Sequence, residues 1–207
     1  MEALLDSAAL SGFAPAACAG FLPAQDAVPC SHAVEFYQDR DAFLDGLSDF
    51  IRSAIQSGGA CLIIATESNR QAIALRLRTS GVDLPHAVQN SQYLLLDAEA
   101  TLDRFMVDGW PDSQRFFATI EPFLMHAKAS LGADVKFPVA FGEMVAILCA
   151  DGHFDAAIRL EQLWNELARK HSFALRCAYP SDGFADGTRG KDYLARITAE
   201  HSHVLTA

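Results

Sequence analysis

Three polar residues set inside apolar runs pose the first chemical question. Glu143 follows Phe141-Gly142 and precedes Met144-Val145-Ala146-Ile147-Leu148. That places a carboxylate at the C-terminal end of a strand, where parallel α/β sheets bind ligands. The same residue also suits the first turn of the next helix, where the dipole favours negative charge. Glu161 shares a helix face with Ile158, Trp164 and Asn165 at three- and four-residue spacing, so it either reaches a pocket beside Trp164 or holds its head in water at the core boundary. Cys177 ends a strand in Leu175-Arg176-Cys177-Ala178-Tyr179-Pro180. A thiol ligand or redox sensor there would need exposure and a lowered pKa, and a buried strand cysteine is the simpler reading. His32 precedes the first strand and Tyr37 closes it, lining opposite rims of the sheet. Arg70 opens a helix and suits either an anionic ligand or a local ion pair. Phe105 and Trp110 suit a pocket wall or the core.

Other chemistries lack their residues. No GxxxxGK[ST] or GxGxxG occurs, and the segment after the first strand reads Gln38-Asp39-Arg40-Asp41, whose aspartates repel a triphosphate. No GxSxG or HExxH is present. The closest histidines, His201 and His203, fall in a tail and read as a solvated face, so no metal site and no cofactor are expected. A formal charge of −10 without a basic cluster argues against nucleic acid and anionic membrane surfaces. Five cysteines without ligand spacing indicate a reducing compartment, and with no leader and no long apolar window a cytoplasmic chain is expected.

These residues need a scaffold, and the periodicities supply one. Phe43, Leu44, Leu47, Phe50, Ile51, Ala54 and Ile55 mark an amphipathic helix. Ala60–Ala65 is a continuous apolar run suited to a strand covered on both faces. Thr66 or Ser68 caps a helix ending at Ser80-Gly81, and strands are predicted at 33–37, 93–96, 135–141 and 172–179. The helix after Leu96 is expected to reach Asp108-Gly109, Pro111 to open another, and 143–149 and 154–170 to follow as helices. Strand–helix alternation implies a mostly parallel sheet in a three-layer α/β/α fold. Residues 1–30 read as an extension with a short helix at 2–10, 31–180 as the body, and 181–207 as a tail turning helical near 191–200.

Several blocks, in order, resemble the MEDS domain, the DcmR-type sensory domain named for methanogens and methylotrophs. They are His32-Ala-Val-Glu-Phe36-Tyr37, Leu62-Ile-Ile-Ala-Thr66…Arg70, Leu96-Asp97-Ala98, Phe105 to Asp112, Phe141-Gly142-Glu143-Met144, Leu160-Glu161-Gln-Leu163-Trp164-Asn165, Cys177-Ala-Tyr179-Pro180 and Ala199-Glu200-His201-Ser202. The resemblance spans 31–203 and implies a RecA/KaiC-like fold without its phosphate loop. It further implies a bacterial sensory module, not an enzyme, that binds a small, hydrocarbon-derived ligand. A pocket at the C-terminal edge of the sheet would draw on His32, Tyr37, Arg70, Glu143, Glu161, Trp164 and Cys177. The signal would pass to a separate protein such as a histidine kinase or transcription regulator, because 1–30 and 181–207 are too short for an output domain. Two alternatives stand beside it. One is a ligand-free interaction module, in which the Phe116, Ile120 and Leu124 face serves a homodimer as readily as a core. The other is a vestigial ATPase with Glu67 or Glu143 as base.

Overall fold

A computed structural model of the chain describes residues 31–135, 137–184 and 187–205. The expected extension at 1–30, with its helix at 2–10, lies outside them. The elements run β1 (Ser31–Tyr37), α1 (Arg40–Gln56), β2 (Cys61–Ala65), α2 (Glu67–Thr79), α3 (Leu84–Gln89), β3 (Tyr93–Asp97) and α4 (Ala98–Asp103). A hairpin of β4 (Met106–Val107) and β5 (Trp110–Pro111) precedes α5 (Ser113–Ala129) and β6 (Val139–Gly142). Then come α6 (Met144–Ala150), α7 (Phe154–Lys170), β7 (Ala174–Pro180), α8 (Gly187–Ala199) and β8 (His203–Leu205).

Six strands form one parallel sheet in the order β3-β2-β6-β7-β1-β8. Alternation along each strand sends its side chains to two cores. Cys61, Ile63, Phe141, Ala174 and Ala178 pack under α1, α2 and α3. Val34, Leu62, Ile64, Ala140, Leu175, Cys177 and Tyr179 pack under α4 to α8. This is the three-layer α/β/α arrangement expected from the alternation. The interior strands β2 and β6 are buried along their whole length, which is why they read as unbroken apolar runs.

The local signals explain most boundaries. The Asp39 carboxylate accepts from the Asp41 and Ala42 amides and caps α1, so the acidic segment after β1 is a helix start. Pro138 has no N–H, and the ladder of the fourth predicted strand begins only at Val139, whose amide donates to Ala60 O (2.9 Å). The helix expected to reach Asp108-Gly109 stops at Asp103, and Asp108 (φ 49°) and Gly109 (φ 77°) are the left-handed pair of a tight hairpin. Pro111 closes that hairpin, and Asp112 rather than Pro111 starts α5 by accepting from the Arg115 amide. The apolar residues Phe116, Ile120 and Leu124 lie inside the core, so that face is not free to form a dimer. The tail is helical as expected but then adds β8, which pairs with β1 through Ala33–His203 to Glu35–Leu205.

One charged pair sits within the α1-side core. Arg176 on β7 donates through Nε (3.1 Å) and Nη2 to Glu35 on the adjacent β1. Gly46 of α1 lies over the guanidinium, where a Cβ would meet Arg176 Nη2 at an ordinary contact distance of 3.7 Å. Removing one partner strands the other charge in the core. Arg176→Met is therefore expected to lower unfolding free energy by about 3–5 kcal/mol in urea denaturation, while Glu35→Leu with Arg176→Met restores most of that loss.

Candidate functional site

The predicted site residues separate into two groups, one at the C-terminal edge of the sheet and one beneath its α7-facing side. Tyr37, Glu143 and Arg70 lie at the C-terminal edge, where β1, β2, β3 and β6 end. Glu143 occupies the N-cap position of α6, and its carboxylate reaches across to the loop after β2. There Oε2 accepts from the Thr66 amide (2.8 Å) and hydroxyl (3.1 Å), and Oε1 accepts from Asn69 Nδ2 (2.6 Å). Arg40 in turn donates to Asn69 Oδ1 (2.5 Å) and Ser68 Oγ (3.3 Å). Burial raises the Glu143 pKa despite these donors, and burial followed by the Glu143 charge pushes the Tyr37 phenol up to about 12. Arg70 pairs with Asp97 (2.6 Å), the local ion pair of the two readings. The C-terminal edge is thus tied together by the protein's own groups.

The second group lies under β1 and β7, against α7 and the turn after α8. Glu161 is fully buried, not a boundary residue with its head in water. Its Oε1 accepts from the Tyr179 hydroxyl (2.5 Å), and its Oε2 accepts from the Cys177 thiol (3.4 Å) and lies 3.2 Å from His32 Nε2. His201 Nε2 approaches Oε1 at 3.4 Å without making a hydrogen bond. His32 is inside β1 rather than ahead of it, and Cys177 lies mid-strand in β7 and is buried, as the simpler reading had it. Trp164 is core: its ring packs on Gly142 and edge-on to Phe116. Phe105 is buried as well, whereas Trp110 is half exposed on the hairpin.

Electrostatics follow from this enclosure. Burial alone would push the Glu161 carboxyl up, but the imidazoles, His201 foremost, hold it well below the usual carboxylate range. Burial works against protonating His201, and the Glu161 charge beside it outweighs that and raises its pKa. Burial first and Glu161 second push the Cys177 thiol and the Tyr179 phenol well up.

An open cleft of about 610 Å³ reaches this cluster from outside, at the N-terminal end of β1. Ser31, His32, Arg159, Gln162, Asn165 and Glu200 line it together with His201 and Ser202. It lies at the edge opposite the one expected for a pocket. His201 was missed because its only nearby histidine, His203, sits in what reads as a solvated tail. The signal available was the Ala199-Glu200-His201-Ser202 block, which returns the chain to β1. There the Ser202 amide donates to His32 O (2.8 Å) and the His32 amide to Ser202 Oγ (3.0 Å).

Compared with known families, residues 31–190 match the model described as MEDS, the MEthanogen/methylotroph, DcmR Sensory domain. No curated protein matches the chain.

The raised pKa of Glu143 carries a pH signature. The folded state holds a proton that the unfolded chain releases near its ordinary value of about 4.5, so this group's contribution falls as pH rises from there to the folded pKa. Unfolding free energy measured from pH 4 to 8 should therefore decline more, over that window, in the wild type than in Glu143→Gln; parallel curves would contradict the assignment.

Proposed function

The chain belongs to the MEDS family of sensory domains, and from that premise we propose that it binds a small molecule in the cleft at the N-terminal end of β1 and relays its presence through β8. The observation that carries this reading is the shared wall. Ser202 lines the cleft and also fastens the segment leading into β8 to the His32 backbone. A molecule that moved Ser202 would thus act directly on the pairing of an edge strand. A population shift of this kind is limited by the ligand's differential affinity for the two arrangements.

The lining favours a ligand with a polar head. Arg159 pairs with Glu166 (2.9 Å), and Gln162 and Asn165 both hold Glu200, so the walls are polar while the space between them stays open. A hydrocarbon derivative bearing a hydroxyl, carboxyl or halogen group fits such a site better than a plain hydrocarbon does. The role is binding rather than catalysis. The interlocked Thr66, Asn69, Arg40 and Glu143 side chains at the C-terminal edge support this, since a nucleotide there would have to break their hydrogen bonds. The output is read by a signalling protein such as a histidine kinase or transcription regulator, with β8 as the edge presented to it.

Native against denaturing mass spectrometry of freshly purified protein tests the cleft. The expected result is an organic mass lost on denaturation from the wild type and absent from Gln162→Trp, which sets a bulky indole in the cleft wall. The same organic mass retained by Gln162→Trp, or a bare chain in every preparation from cells grown on varied one-carbon and short-chain substrates, would contradict it.

A further inference from the structure

We propose that His32 Nε2, His201 Nε2, a Glu161 carboxylate oxygen and Cys177 Sγ are the four ligands of a single zinc-class divalent metal ion. The assignment stands apart from the reading of the cleft as a small-molecule site. These four atoms lie within 4.8 Å of one another. Three of their separations are already 3.2, 3.4 and 3.5 Å. A tetrahedral zinc ion with bonds of about 2.0–2.3 Å sets its ligands at edges of roughly 3.3–3.8 Å, so the cluster needs little rearrangement to close on one ion.

The outer contacts of each ligand fit the same role. Asn165 Nδ2 donates to Glu200 O (2.9 Å) and to Glu200 Oε2 (3.2 Å), which turns Asn165 Oδ1 toward His32 Nδ1 (2.9 Å). A carbonyl-type oxygen only accepts, so His32 carries its hydrogen on Nδ1. His201 Nδ1 faces Ile197 O (2.7 Å), and the same logic applies. Both rings are therefore pinned through Nδ1, with Nε2 aimed at the carboxylate and thiol, which is how protein-bound histidines are oriented for a metal. Tyr179 holds the other ligand candidate in place by donating to Glu161 Oε1.

Hydrogen bonding within the protein does not complete this cluster. His201 Nε2 is buried and has no hydrogen-bond partner. The two imidazoles stand 4.0 Å apart between centroids, and both Nε2 atoms approach the same Glu161 carboxylate, at 3.2 and 3.4 Å. On binding, the Cys177 thiol proton and any proton on an imidazole Nε2 leave to solvent, and thiolate plus carboxylate balance the two positive charges. His32 and His201 border the cleft, which supplies the route in.

Cobalt(II) and zinc(II) are the probes, added to the full-length chain after chelator treatment. The expected result is the intense visible absorption of tetrahedral cobalt with a thiolate-to-cobalt charge-transfer band, saturating at one ion per chain and displaced by zinc. Cys177→Ser, which is nearly isosteric, should abolish the charge-transfer band even if other variants fail to fold. His201→Gln should weaken zinc binding by about tenfold or more. His203→Gln, on the exposed β8, should leave binding unchanged. No saturable binding by the folded wild type, a charge-transfer band surviving in Cys177→Ser, or loss of binding only in His203→Gln would each overturn the assignment.

Discussion

A carboxylate with no access to water dictates how one half of this molecule is assembled. Glu161 projects from the middle of α7 into an apolar core, and an ionised carboxylate there is costly unless it is surrounded by donors and positive charge. Its four partners come from three separate places: His32 from β1, Cys177 and Tyr179 from β7, and His201 from the turn after α8. Satisfying one side chain therefore draws the two ends of the described chain together. The last strand, β8, is short, and its pairing with β1 follows directly from the residues that Glu161 and His32 hold.

The two ends of the sheet are used differently. At the C-terminal edge, side chains that could meet a ligand meet each other: Glu143 spans to Thr66 and Asn69, Asn69 to Arg40, and Arg70 to Asp97. At the N-terminal edge of β1 a cleft stays open, and its wall includes the same Ser202 that ties the tail to the sheet. A parallel sheet built for nucleotide chemistry works at the first of these edges. In this member of the MEDS family an open cleft lies at the second.

Much of the fold was legible because burial writes itself into strand composition. Cys61–Ala65 and the start of β6 read as strands since both faces are covered, and α1 and α7 read as helices since one face is. What failed to show was set by tertiary partners. Asp108-Gly109 reads equally as a helix stop and as a hairpin turn, and only the pairing of Met106–Val107 with Trp110–Pro111 decides. The His203–Leu205 strand is three residues long, too short for periodicity to register. Glu143, Glu161 and Cys177 were visible as polar residues in apolar runs, and His32 as a polar residue ahead of the first strand, but which of them meet was not. Side-chain alternation sends His32 and Cys177 to the α7 face, while Tyr37 goes to the other face and ends beside Glu143 at the far edge. His201 was hidden because the residues it packs against, His32 and Glu161, lie far from it in the sequence.

The central claim is that Glu161 fastens the tail to β1, and residue-resolved hydrogen exchange on Glu161→Gln tests it most directly. The account predicts faster exchange at Ser202, at 203–205 and along β1, with β2 and β3 protected as in the wild type. Unchanged protection at 202–205, or a loss spread evenly over the sheet, would contradict it.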